Sequence, residues 1–475
     1  MGGQLDLLLV NPYCLETQAE RKAKMEPYPP LGLMSLASWV RERGYSVAIA
    51  DGTFEPSIES LIDSVKRFDP VIVGLFAMNS FRGEALSVLR SLASDGRIVL
   101  CGGPDPSIYP SVYLQAGATA VAHSEGELIL TDLLGHYVRH TLSLPEVPGI
   151  SYADDGVVRR TPDRAPIPDL HALPLPAYDL VDIPSYGNAW RSAHGHATIN
   201  IMTSRGCPFR CNWCARPIFG KNYRLRTVDA VVGEMSMLVR EHGVEHFWIF
   251  DDTFVVKKSW VEAFCRAMRD ASLPATFECM ARVDQTTEPL LRQMKEAGCV
   301  RIYYGVESGS QRVLDAMQKG TTVEQIRRTA EWMHALGLKM GAFIMYGYPG
   351  EEYEDILMTL DLVRSILPDE FSVSVAHPMP GTGFYENVRD ELLAAWAAPE
   401  DYHEGELVFR TRYPAFYYKL LKKRTALEWQ AARYPGLAGI ARALPWRAAT
   451  AMLSHLPPPD RRVPPVGAVR SAPRS

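Results

Sequence analysis

Twice along this chain, short apolar runs alternate with amphipathic stretches, and a proline-rich segment separates the two series. In the first 140 residues, LDLLLVNP, SVAIAD, VIVGLF, RIVLCGG and ATAVAHSEGE read as buried strands. PPLGLMSLASWVRERG, stopped by Gly44, and SIESLIDSVKRF read as helices between them. Such alternation predicts an α/β fold with a Rossmann-like, doubly wound parallel sheet over residues 1–140. Sheets of this kind take ligands beyond the carboxyl ends of their strands. Those ends carry Asn11, Asn79, Ser80, Gly102, Gly103, Glu125 and Gly126.

Residues 141–195 read as a connector. Two short alternating runs flank Asp155–Gly156, a hairpin signal. APIPDLHALPLPAYDL follows, and its prolines disfavour regular structure. The second series starts with ATINIMTS and continues through HFWIFDD, ATFECMAR, VRIYYGVES, KMGAFIMYG and EFSVSVAH. Six strand–helix units predict a partial (β/α)6 barrel over 196–385, with functional groups at strand carboxyl ends. The helix at 228–242 keeps Val228, Val231, Val232, Met235, Leu238 and Val239 on one face and stops at Gly243. Residues 386–456 read as a small, mostly helical region and 457–475 as a disordered, proline-rich tail.

A chain of 475 residues has room for two or three domains. No run approaches the roughly 18 apolar residues of a membrane span, and the N-terminus lacks the marks of a signal peptide, so a cytoplasmic location is expected. The net charge of −5 conceals an asymmetry: residues 1–409 hold 37 basic and 53 acidic side chains, whereas the chain from Arg410 holds 13 basic and two acidic ones. An acidic body with a basic end argues against nucleic acid as a partner. For the basic segment 416–456 the expectation is docking on the acidic body, with anionic membrane contact as the second reading.

Three of the eight cysteines fall within eight residues, in SRGCPFRCNWCARP. Thiolates spaced as Cys207, Cys211 and Cys214 can hold three irons of a cubane cluster, leaving the fourth iron open to a small molecule. The alternative is a Cys3His zinc site using His194 or His196, although structural zinc loops usually carry paired Cys-x2-Cys units. Polar groups also stand at the ends of the expected barrel strands: Asp251 and Asp252, Arg282, Glu307 and Ser308, Tyr346 and Gly347. Apart from a ligand, Glu307 would suit a helix N-terminus and Asp251–Asp252 a turn cap.

With the cysteine spacing and these strand ends, the chain resembles the radical S-adenosylmethionine superfamily. NPY, YPPLGLMSLASWV, CGG and SEGE make its first domain similar to the cobalamin-binding module that precedes many such barrels. The resemblance implies a [4Fe-4S] cluster on Cys207, Cys211 and Cys214, with S-adenosylmethionine at Trp213, Asp252, Arg282, Glu307, Ser308, Tyr346 and Gly347. It implies cobalamin at Asn79, Ser80, Gly102, Gly103, Glu125 and Gly126. Residues 11–32 contain no histidine, so the cobalt's lower face has no imidazole from that loop. The activity implied is methyl transfer to an unactivated carbon of a small-molecule or natural-product substrate, with an electron donor such as flavodoxin or ferredoxin. No side chain is assigned as a catalytic acid or base, since the cofactors carry the chemistry. Cyclisation or rearrangement on the same scaffold is the alternative reaction, and non-catalytic corrinoid binding is the alternative of another class. Methylthiotransferases carry a second three-cysteine cluster in their first domain, where this chain has only Cys14 and Cys101.

Overall fold

The computed structural model describes residues 4–393 and 407–455, so the expected tail at 457–475 lies outside the described residues. The first sheet contains β1 (Leu5–Asn11), β2 (Val47–Asp51), β3 (Pro70–Phe76), β4 (Val99–Gly102), β5 (Ala120–Ala122), β6 (Ile150–Asp154) and β7 (Val157–Arg160). Its order is β2-β1-β3-β4-β5-β6-β7. The first five strands are parallel, in the doubly wound order whose switch point falls between β1 and β3. Leu7, Leu8, Leu9 and Val10 are all buried, which explains why β1 reads as a continuous apolar run: helices cover both faces of the sheet. One face packs Leu8 and Val10 with Leu86 and Leu89; the other packs Leu7 and Leu9 with Val40 and Leu133.

The connector behaves differently from its reading in two places. Its hairpin does form, with Asp155 at φ 48° and Gly156 at φ 77°, the doubly positive pair of a tight two-residue turn. However, β6 pairs antiparallel with β5 and so extends the first sheet, covering an edge that would otherwise expose unpaired backbone. The second difference is a helix, Ile183–His194, capped by the Asp182 carboxylate and ended by Gly195 at φ 83°. The proline-rich stretch before it makes only the short turns Leu170–Ala172 and Tyr178–Leu180.

The second series supplies β8 (Thr198–Ile201), then a small antiparallel ribbon of β9 (Ser204–Arg205) and β10 (Arg224–Leu225). It continues with β11 (His246–Ile249), β12 (Thr276–Ala281), β13 (Cys299–Glu307), β14 (Lys339–Tyr346) and β15 (Glu370–Val375). Six of these form one sheet in sequential order, β8 through β15 without the ribbon. Helices join successive strands, so the sheet is the expected partial (β/α)6 barrel. The helix Val228–His242 lies where its apolar spacing predicts, capped by Thr227 and closed by Gly243 at φ 63°.

Residues up to Pro208, with Arg216–Phe254 and Ala263–Glu278, group as one compact unit. Phe209–Ala215, Val255–Glu262 and the chain from Cys279 group as the second. Within the second unit, the helix Ala415–Arg433 packs on the helix Tyr353–Ile366, and a further helix, Leu437–Ser454, packs on it in turn. The break between the last two helices falls at Pro435–Gly436, while Pro445 is accommodated inside the second.

Candidate functional site

In the first unit, the chain leaving β8 is fixed before it enters the cysteine loop. Asp251, at the end of β11, accepts hydrogen bonds from the Thr203 and Ser204 amides at 2.7 and 3.1 Å. It also accepts from their hydroxyls at 2.5 and 2.7 Å. Burial lifts its carboxyl to about 6, and these four donors oppose the shift. The ribbon β9–β10 then pairs Arg205 with Arg224 and closes the base of the segment carrying Cys207, Cys211 and Cys214. Gly206 adopts φ 83°, and a Cβ there would collide with the Asn222 carbonyl. The Arg216 guanidinium donates to the Cys207 carbonyl at 2.8 Å.

The ribbon is held in turn by the first sheet. Arg205 reaches Glu127 at 2.5 Å and Glu125 at 3.6 Å, Arg224 pairs with Glu125, and all four side chains are largely buried. Glu125 also accepts from the Ile167 amide at 3.0 Å. The SEGE acids thus brace the residue two positions before Cys207. The Glu125 carboxylate, expected at cobalamin, is engaged in this brace. Glu127 and Arg205 were not anticipated, because their partnership is invisible at a separation of 78 residues.

At the other expected cobalamin positions, Asn79 is exposed, Ser80 is half-buried and both begin a short turn after β3. Gly102 and Gly103 differ. A Cβ on Gly102 would meet only Ala122, at 3.9 Å, so open space lies above it. Gly103, at φ 110°, would press a Cβ to 2.5 Å from the Ala77 carbonyl, so its requirement for glycine is internal packing. Gly126 lies against Leu36 and lets two helices approach. Asn11 bonds Asp51 and Thr53, which also hold the Tyr186 hydroxyl.

Cys211 and Cys214 belong to the second unit, where the loop tip is fixed by backbone. The Asn212 amide donates to the Met317 carbonyl at 3.0 Å, and the Tyr348 hydroxyl donates to the Asn212 side chain at 2.8 Å. Trp213 packs against an apolar cluster that includes Met317, Met345 and Phe384, with its buried indole N–H unpartnered. Arg282, at the end of β12, donates to the Cys211 sulfur at 3.5 Å and stacks on the Phe209 ring at 3.9 Å. Glu307 ends β13 at a bulge with φ 61° and forms a buried ion pair with Lys319 at 2.8 Å. Lys319 in turn stands 5.6 Å from the centre of the Trp213 ring. The sequence reading missed Lys319, which lies in a turn between helices and not at a strand end.

Other expected S-adenosylmethionine residues divide. Asp252 is exposed as a residue, but surrounding protein desolvates its carboxyl and raises it, with Arg216 opposing the shift. Ser308 is buried and bonded to Thr359 and the Ser310 amide. Tyr346 is buried with its hydroxyl 3.1 Å from that of Thr425, and the Gly347 amide donates to Glu351 at 2.6 Å. The helix Ala415–Arg433 therefore covers these two positions, with Thr425 at the Tyr346 hydroxyl and the Tyr418 ring against Gly347. His194 and His196, considered for zinc, bond backbone carbonyls instead. Among the described residues, no three His, Cys, Asp or Glu side chains gather as a single-ion site.

The cysteine loop and its surroundings fit the implied cluster and S-adenosylmethionine. Three half-exposed thiols share one braced loop, while the other five cysteines are buried. An unpartnered indole N–H and a buried Glu–Lys pair stand in the unit that holds two of those thiols. Comparison with known proteins agrees. The sequence matches the radical SAM superfamily over residues 201–363 and the B12 binding domain over residues 25–134. It is 33% identical over 365 residues to an uncharacterised methyltransferase of Pyrococcus horikoshii, covering 75% of this chain and 78% of that one. It is 27% identical over 376 residues to the anaerobic magnesium-protoporphyrin IX monomethyl ester cyclase of Rubrivivax gelatinosus, covering 77% and 67%. The fold is similar to that of the radical S-adenosylmethionine methyltransferase TsrM from Kitasatospora setae, solved with cobalamin and a [4Fe-4S] cluster. The TM-score is 0.68 at 19% identity, covering 81% of this chain and 78% of that one. The chain belongs to the cobalamin-binding radical S-adenosylmethionine enzymes.

Proposed function

We propose that this enzyme transfers a methyl group to an unactivated carbon of a small-molecule substrate. When bound, the cluster with S-adenosylmethionine supplies a carbon-centred radical and cobalamin supplies the methyl group. The chain's own part is to bind, orient and shield. Cys207, Cys211 and Cys214 hold the cluster, while Asp251, the β9–β10 ribbon and the Glu125–Glu127 brace keep their loop in register. Trp213, Asp252 and Glu307 are the candidate contacts for S-adenosylmethionine, with Lys319 holding the Glu307 carboxylate in place. Asn79, Ser80 and the open space above Gly102 are the candidate contacts for cobalamin, at the carboxyl edge of the first sheet. The electron comes from a donor such as flavodoxin or ferredoxin in the cytoplasm. No helix among the described residues is long and apolar enough to cross a membrane.

The observation that carries this reading is the brace of Glu125 and Glu127 on Arg205, because it ties the sheet matched to B12 binding to the loop of the three cysteines. The test is anaerobic incubation with methyl-labelled S-adenosylmethionine and a cell extract. A product heavier by one labelled CH2 unit, together with about four irons per chain, is the expected result. Similarity to the cyclase favours a second reading, ring formation on the same scaffold, which gives a product of unaltered carbon count. A colourless protein with one zinc per chain defeats both.

A further inference from the structure

We infer that Arg282 tunes the reduction potential of the cluster by donating a fixed hydrogen bond to the Cys211 sulfur. The inference rests on the cluster assignment above. Arg282 is buried, and two of its three guanidinium nitrogens are held by oxygen acceptors. Nε donates to Asp284 at 3.0 Å, and Nη2 donates to Asp284 at 3.1 Å and to the Lys319 carbonyl at 2.6 Å. The Phe209 ring supports its plane at 3.9 Å. What remains aimed outward is Nη1, 3.5 Å from the Cys211 sulfur.

That geometry has a direct electronic consequence. An added electron places more negative charge on the ligating sulfurs, so a fixed N–H donor stabilises the reduced cluster more than the oxidised one. The potential therefore rises. Asp284 offsets the guanidinium's net charge, so the effect is delivered as a directed hydrogen bond and less as a diffuse field. Arginine keeps its protons at every working pH, which makes the donor permanent. Four of the five guanidinium N–H groups are engaged by these partners. Little donor capacity is left for S-adenosylmethionine, the contact that the resemblance implies for Arg282. A lysine could not span Asp284, the Lys319 carbonyl and the sulfur together.

Redox titration followed by electron paramagnetic resonance tests this on anaerobically reconstituted full-length protein. Iron content and S-adenosylmethionine affinity are measured in parallel. Arg282→Gln is expected to retain its iron and bind S-adenosylmethionine as the parent does. Its midpoint should fall by about a tenfold change in the reduction equilibrium, or ~59 mV for one electron. An unmoved midpoint in the iron-loaded variant overturns the inference, and so does lost S-adenosylmethionine affinity at constant midpoint. If Arg282→Gln takes up no iron, Arg282→Lys is read instead. Lysine keeps the positive charge but cannot hold Asp284, the Lys319 carbonyl and the sulfur together, so the midpoint should still fall; no movement overturns the inference. A parent protein that takes up no iron overturns the cluster assignment itself, and this inference with it.

Discussion

Glu307 shows how a single residue carries more than its type reveals. A non-glycine residue at φ 61° is uncommon and persists only where surrounding contacts impose it. Here those contacts are Lys319 and the narrow space at Gly305, where a Cβ would stand 2.5 Å from the Lys319 ammonium. Replacing Lys319 with Met leaves a buried carboxylate without its cation, at a cost of about 3–5 kcal/mol. We expect a lower urea midpoint and weaker S-adenosylmethionine binding, and an unaltered midpoint would refute the pairing's importance. Glu307 was legible as a strand-end acid; Lys319 was not, because nothing in MQKGTT distinguishes a turn lysine from a buried one.

Glu351 gives a prediction in pH. Burial raises its carboxyl from 4.5 to about 8, with the Gly347 amide opposing the shift. The folded state therefore keeps a proton that the unfolded state releases. Stability from this group is complete below about 4.5 and is lost as pH rises towards about 8, at roughly 1.4 kcal/mol per pH unit within that window. Glu351→Gln should thus gain stability relative to the parent between pH 5 and pH 8, measured as the difference in urea midpoints. A constant difference across that range would show that the side chain is ionised in the folded protein.

Among elements, the barrel strands and the first sheet were legible because their apolar period is strong, and the turns between them carry glycine or capping residues. The helix Ile183–His194 was missed although Asp182, Pro184 and Gly195 mark its two ends, because the prolines before it dominated the reading. The β9–β10 ribbon could not be read: two-residue strands have no period, and their pairing spans the whole cysteine loop. Likewise the brace joins acids on one sheet's edge to arginines of another sheet's loop. Its four charges satisfy one another in a buried site, so removal of a single member is costly. Arg205→Met should reduce iron retained after anaerobic gel filtration while leaving far-ultraviolet circular dichroism unaltered. Equal iron retention in the variant and the parent would show that the loop needs no such support.

For the molecule as a whole, the charge asymmetry of the sequence suggested that a basic end docks on an acidic body, and the docking proves less electrostatic than that. The helix Ala415–Arg433 buries Tyr417, Tyr418 and Leu421. Its Trp429 indole donates to the Pro368 carbonyl at 2.9 Å. Arg433 meets Asp369 at 2.9 Å as charge complementarity predicts, but Glu428, an acid of the basic end itself, gathers Arg364, Arg424 and Arg447. Apolar burial, the Glu428 cluster and the Trp429 and Arg433 contacts therefore hold the helix, and Lys419, Lys422 and Lys423 are left exposed beside Phe416. That exposed strip is the part an anionic membrane could still attract, at about 1 kcal/mol per lysine near the surface. If docking is the segment's whole role, reversing Lys419, Lys422 and Lys423 to Glu alters little. Stability should stay within about 0.5 kcal/mol, as for surface changes generally, and the parent and variant should co-sediment equally poorly with anionic vesicles at low salt. Sedimentation of the parent alone would instead assign the strip to a membrane surface, with the buried face of the same helix still serving the barrel.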